Sequence, residues 1–280
     1  MSLPRLTRAS APLTHSIRAL DEFGATRDIA IPAERALTIF VDKRELVTLM
    51  TLGAAPELLV LGYLRNQRLV ESIDEIDSIT VDWEVGAAAV KTHKGITRFE
   101  EKTAKRVVTT GCGQGTVFGD LMGALDTVEL PPPTDLAARL SQHTLYALLD
   151  SIRLQESTYK SAGSVHGCAL FRQAELLHFV EDVGRHNAID TIAGWMALRD
   201  MTGGDKIFYT TGRLTSEMVI KAAQMGVPVV VSRSGITQMG HEVAQRLGLA
   251  LFGRATNRHF ICYCGFDRFD AQPEPRRAIA

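Results

Sequence analysis

Cysteine is scarce in this sequence: Cys112, Cys168, Cys262 and Cys264 are the only four in 280 residues. Their spacing offers no disulfide framework of the secreted kind and no C-x-x-C pair for structural zinc, so reduced thiols are expected and no protein-bound metal. Neither sign of charge is in excess. Lys and Arg number 31 against 32 Asp and Glu, a formal net charge of −1, which gives no electrostatic case for nucleic acid or an anionic membrane as a partner. Long apolar runs are missing as well. No stretch approaches the roughly 20 residues that span a bilayer, and the N-terminal residues hold no continuous apolar segment of the signal-peptide kind. A cytoplasmic protein is the expectation.

What is present suits a globular α/β protein. A hydrophobic fraction of 45% and a charged fraction of 22% are ordinary for a soluble fold, and the length allows one large domain or two intimate ones. Residues 1–28 mix Pro, Ser, Thr and Arg without periodicity and read as a flexible extension. Residues 29–130 read as an α+β domain. ALTIFVDKRELVTLMTL, from Ala36, alternates around Asp42-Lys43 as a β-hairpin does, and Pro56 opens a helix through ELLVLGYLRNQRLV. Strands are expected at 79–83, 87–92 and 96–108. Pro131-Pro132-Pro133 makes 131–135 a hinge, and Asp135 is expected to cap a helix over 136–154. Residues 136–270 read as α/β, with a hairpin at 169–180 and helices over 186–198, 215–224 and 236–247. Strands at 206–209, 227–231 and 249–252 alternate with the last two, which implies a partly parallel sheet. Residues 271–280 are a tail.

Three segments carry candidate chemistry. TTGCGQGT at 109–116 places Cys112 among three glycines after a strand, with Lys105 and Arg106 nearby. Exposed backbone N–H groups and cations stabilise a thiolate, the form that attacks sulfur, although a Gly-rich turn with a buried small residue gives the same pattern. EDVGRHNA at 181–188 lies between a strand and a helix. It serves either an anion at the helix N-terminus, with Arg185 and His186 as donors, or an ordinary capped turn. TTGRLTSE at 210–217 again follows a strand, where open α/β sheets bind ligands, and Arg213 is its cation; it is equally a helix start. His166-x-Cys168 and Cys262-x-Cys264 are two residues short of a zinc site each and read as packing.

Taken together the segments resemble a known family. EDVGRHNAID at 181–190, TTGR followed by SEMVIKAA at 210–223, GVPVVVS at 226–232, SAGSVHGCALF at 161–171 and TTGCG at 109–113 are similar in order and spacing to the FdhD family, the formate dehydrogenase accessory sulfurtransferases. The resemblance implies a cytidine-deaminase-like, three-layer C-terminal part and a homodimer. It implies a cysteine persulfide on Cys112, loaded by a cysteine desulfurase. The sulfur goes to molybdenum bis(molybdopterin guanine dinucleotide), bound as a substrate and delivered to the formate dehydrogenase catalytic subunit. It places cofactor binding on Arg254, Ala255, Thr256, Asn257, Arg258 and His259, anchored on Gly253 and Tyr263. Two departures stand out: the family's second loop cysteine is Gly115 here, and the aromatic expected after Gly253 is Arg254. A molybdenum-cofactor-binding chaperone without sulfur transfer is therefore the alternative. A deaminase is excluded, since the H-x-E and P-C-x-x-C motifs of zinc deaminases are missing.

Overall fold

The structure, a computed structural model, describes residues 3–96 and 127–272, together with the backbone of 107–108 and 115–116. Along the chain, β1 (Arg5–Leu6), β2 (Thr14–Leu20), β3 (Thr26–Pro32), β4 (Arg35–Val41) and β5 (Arg44–Thr51) precede α1 (Pro56–Asn66). Then come β6 (Ile76–Asp82), β7 (Ala87–Thr92), β8 (Val107–Val108), β9 (Gly115–Thr116), β10 (Leu140–Ser141), α2 (Gln142–Leu154) and α3 (Thr158–Ala162). β11 (His166–Arg172) and β12 (Glu175–Asp182) lead to α4 (Arg185–Ala197). The remainder is β13 (Lys206–Thr210), α5 (Ser216–Gln224), β14 (Val229–Ser232), α6 (Gln238–Leu247), β15 (Ala250–Thr256), β16 (His259–Cys264) and β17 (Phe269–Asp270). This is the mixed α/β architecture expected.

The N-terminal residues correct the reading of a flexible extension. β2 and β3 pair antiparallel from Thr14↔Pro32 to Leu20↔Thr26. Their turn is closed by the Asp21 carboxylate, which accepts from Phe23 N at 3.0 Å and Ala25 N at 2.9 Å, with Gly24 at φ 78°. The ribbon is largely solvent-exposed along both strands, so its sequence lacks the alternation that a half-buried strand shows.

Two units form, and their boundaries interleave where a single break at 131–135 was expected. The first takes its described residues from 1–127, 156–168 and 179–201; the second from 128–155, 169–178 and 202–280. In the first, β1-β6-β7-β4-β5 form a mixed sheet. Asp42 and Lys43, at φ 46° and 71°, make the left-handed two-residue turn that suits a hairpin. Leu37, Ile39 and Leu49 of that hairpin are buried with Leu59 and Leu64 of α1 in one core. The other face of α1 meets α4 so closely that backbones touch. A Cβ added at Gly62 would lie 1.7 Å from Asp190 O, and one at Gly194 would lie 2.0 Å from Leu58 O. Asn66 Nδ2 donates to Asp190 Oδ1 at 2.7 Å across the same contact. This contact explains why residues 179–201, distant in sequence, belong with the N-terminal half.

The second unit is built on the strands β13, β14, β15 and β16, in which β13, β14 and β15 run parallel and β16 antiparallel. Val229–Ser232 is wholly buried, as its unbroken apolar run requires. α6 ends on Gly248 in the left-handed conformation, as expected of a C-terminal glycine. Asp135 caps only a 3₁₀ turn, Leu136–Ala138. The helix begins later because Leu140–Ser141 is held extended against β17, and Ser141 is its cap, accepting from Thr144 N at 3.0 Å. Buried Arg268 donates to Gly248 O at 2.8 Å and Pro131 O at 2.6 Å, which ties the proline segment to this unit.

Candidate functional site

Cys112, Lys105 and Arg106 lie outside the described residues. β8 and β9 pair antiparallel, Val107↔Thr116 and Val108↔Gly115, so the segment with Cys112 is the connection between two paired strands. The other three cysteines are described. Cys168 is fully buried and Cys264 nearly so. Cys262 is half-buried, its Sγ donating to Cys264 O at 3.5 Å. Burial, reinforced by Cys264, pushes the Cys262 thiol up to about 11, and burial also pushes Cys264 up. Each is then a neutral thiol at neutral pH, and neither is poised to attack sulfur. His166 and Cys168 join no metal-binding group among the described residues, nor do Cys262 and Cys264.

A raised folded-state pKa favours the protonated thiol in the fold. Its contribution to stability is complete below the ordinary thiol value and is lost as pH rises through about 11. Alkylation of Cys262 by iodoacetamide is therefore expected to be about a hundredfold slower in the native protein than in urea at pH 8. Equal rates in the two states, read by peptide mapping, would contradict this environment.

EDVGRHNA proves to be a structural lock within the first unit. The Asp182 carboxylate accepts four hydrogen bonds: from Thr51 Oγ1 at 2.5 Å, Leu52 N at 3.1 Å, Gly184 N at 3.0 Å and Asn187 Nδ2 at 2.8 Å. Burial pushes its carboxyl above the ordinary value against the pull of these donors. Asn187 also donates to Met50 O at 2.7 Å, and Glu181 accepts from Thr158 N and Tyr159 N at the start of α3. Arg185 and His186 are buried, 5% and 3% exposed, so they are not surface donors for an anion.

The second unit gathers its polar residues at the C-terminal ends of the parallel strands. Gly212 N donates to Thr210 Oγ1 at 3.0 Å, and Ser232 Oγ to Gly212 O at 2.6 Å. Arg233 N reaches Thr210 O at 3.0 Å, and Arg254 N reaches Ser234 O at 2.7 Å. These bonds bring Arg213 and Arg233, on loops, next to the part of β15 that holds Arg254, and all three are exposed. Sequence reasoning named Arg213 and Arg254 but missed Arg233, whose only signal is its position directly after the apolar strand VVVS.

Residues 254–259 are not a free loop. They are the end of β15, a turn at Asn257-Arg258 and the first residue of β16, with Thr256 paired to His259. Arg254 and Asn257 have φ of 50° and 52°, the first at a register shift between the strands. Thr256, Asn257, Arg258 and His259 are exposed, whereas the Ala255 side chain is buried. The Arg258 guanidinium folds back on α2, 3.4 Å from Asp150 and 4.7 Å above the Tyr146 ring. Beneath it Tyr146, Phe252, Phe260 and Phe269 pack edge to face and fix the hairpin.

With this geometry in view, comparison with known proteins is decisive. The family model described as FdhD/NarQ matches residues 32–270. The chain belongs to the FdhD/NarQ family. A sulfur carrier protein FdhD of Listeria innocua is 30% identical over 251 residues, 88% of this chain and 95% of the relative. The protein of that name from Bacillus subtilis is 30% identical over 233 residues, 82% of this chain and 86% of its own. A crystal structure from Desulfotalea psychrophila, assigned there as a candidate formate dehydrogenase accessory protein, has the same fold, with a TM-score of 0.74. Its sequence is 24% identical, with 92% of this chain and all of that one covered. No helix among the described residues is long and apolar enough to cross a membrane.

Proposed function

We propose that this FdhD/NarQ chain is a cytoplasmic sulfur carrier for formate dehydrogenase, acting as a sulfurtransferase through Cys112. The Cys112 thiolate attacks the terminal sulfur of a cysteine desulfurase persulfide. The donor's S–S bond breaks, its cysteine leaves as a thiolate, and Cys112 holds the new persulfide without net oxidation. An external thiol then attacks the Cys112 sulfur and forms a disulfide with it, the outer sulfur leaves as sulfide, and this sulfide passes to molybdenum bis(molybdopterin guanine dinucleotide), a substrate held at Arg254, Ala255, Thr256, Asn257, Arg258 and His259. Ala255 contributes backbone and the others side chains. The formate dehydrogenase catalytic subunit is the recipient, and the carrier works as a homodimer. The observation that carries this reading is the family, whose relatives are named sulfur carriers. The environments of the other cysteines agree with it, since they leave Cys112 as the thiol suited to the task.

Gly115 favours a second reading, a cofactor-binding chaperone without sulfur transfer. A persulfide on Cys112 has no second thiol in its own loop to release sulfide, so an external thiol reductant must do so. The test is formate dehydrogenase made in cells with and without this protein. The sulfur-carrier reading expects inactive enzyme in its absence and activity restored when it is supplied. Full activity without it contradicts both readings.

A further inference from the structure

We propose that the first unit binds a free α-amino acid with an apolar side chain, in a cavity between β1 and the start of α1. This is independent of the sulfur-carrier reading. The cavity is open and has a volume of about 490 Å³, within the range of roughly 300–1,000 Å³ found for small-ligand sites. Leu3, Leu6, Leu58 and Leu198 give it apolar walls, Glu57 is its acid and Arg8 its base. Every lining residue falls in 3–9, in 54–58 or at 198, so the cavity belongs to the first unit alone.

Glu57 carries the argument. Its side chain belongs to a residue only 7% exposed, yet one of its two oxygens does all the accepting: Oε1 takes Thr7 Oγ1 at 2.6 Å and Ala9 N at 2.8 Å. Oε2 accepts no hydrogen bond from the described residues. A carboxylate buried so deeply ordinarily has both oxygens paired, and an ammonium group is the donor that suits the free one. The wall that holds it is rigid, since Thr7 Oγ1 accepts from Val81 N at 2.9 Å and Thr7 N donates to Ile79 O at 3.2 Å. Negative charge has its own place in the cavity. Ala55 stands at the cap of α1 without a side-chain hydrogen bond, and the N–H groups of Glu57 and Leu58 in the first turn have no intrahelical acceptor. Arg8 is exposed and has no ion-pair partner among the described residues. Together these donors suit a ligand carboxylate. An ammonium and a carboxylate on one carbon, with an apolar side chain against the leucines, match the whole set. A simple cation or anion matches half of it.

The test is calorimetry on the full chain with L-leucine, with isoamylamine, which lacks the carboxylate of leucine, and with isocaproate, which lacks its ammonium. Wild type is expected to bind L-leucine, and to bind each of the other two about tenfold more weakly or worse. Glu57→Gln keeps an acceptor oxygen for Thr7 and Ala9 but removes the charge, and is expected to weaken leucine binding by about tenfold or more. Arg8→Ala, at an exposed side chain, is expected to weaken it by about as much. Arg5→Ala is the control, since Arg5 pairs with Asp77 and does not line the cavity, and it is expected to bind as wild type does. Unchanged melting temperatures will show that the variants are folded, and Arg8→Ala decides the matter if Glu57→Gln does not fold. A wild type that binds no leucine at millimolar concentration overturns the site, as does wild-type affinity in Arg8→Ala or in folded Glu57→Gln. Isoamylamine or isocaproate bound as tightly as leucine overturns the amino-acid reading.

Discussion

Cys112→Ala is expected to reduce formate dehydrogenase activation to the level seen without the protein. The chemistry leaves no substitute. A methyl group cannot attack a persulfide, Cys168 and Cys264 are buried, and Cys262 is held as a neutral thiol with its value near 11. Even an occasional thiolate at Cys262 is outnumbered about a hundredfold at neutral pH by that of an ordinary cysteine. The variant should keep its melting temperature and its guanosine diphosphate binding, since Cys112 contributes to neither in this account. Activation assays on cell extracts decide the matter. Full activation by a folded Cys112→Ala protein would favour the chaperone reading.

Asp182→Ala is expected to cost about 3–5 kcal/mol of stability, the largest loss for a single side chain outside the sulfur chemistry. Thr51 Oγ1 still accepts from Gly53 N at 3.1 Å and Asn187 Nδ2 still donates to Met50 O, so those two retain partners. Leu52 N and Gly184 N do not. Two buried N–H groups would be orphaned at about 1–3 kcal/mol each, and the void left by the carboxylate adds to this. For a chain of this size the melting temperature should fall by roughly 10 °C. A fall of no more than about 2 °C would mean that water satisfies those groups and that the lock is not structural.

How much of this was legible in the sequence depended on how local its cause was. The hairpin around Asp42-Lys43, the helix opened by Pro56 and the stop at Gly248 are set by residues within a few positions, and each appears where expected. β2 and β3 escaped because a ribbon with little burial has no apolar face to betray it. EDVGRHNA was readable as a turn but not as a lock, because the partners of Asp182 lie about 130 residues earlier, at Thr51 and Leu52. The interleaved units escaped for the same reason: the close approach at Gly62 and Gly194 and the Asn66–Asp190 bond, which show that α4 belongs with α1, join residues more than 120 positions apart. Arg213 and Arg254 stood out within motifs, whereas Arg233 acquires meaning only once β13, β14 and β15 are known to run parallel and adjacent.

The central claim is that one cysteine carries the sulfur. The purified chain is incubated with cysteine and a cysteine desulfurase, trapped with an alkylating reagent, digested and mapped by mass spectrometry. The account predicts one added sulfur atom on the peptide with Cys112, removed by a dithiol, and none on those with Cys168, Cys262 or Cys264. Added sulfur on Cys262 or Cys264 with Cys112 unmodified, or none on any cysteine, would contradict it.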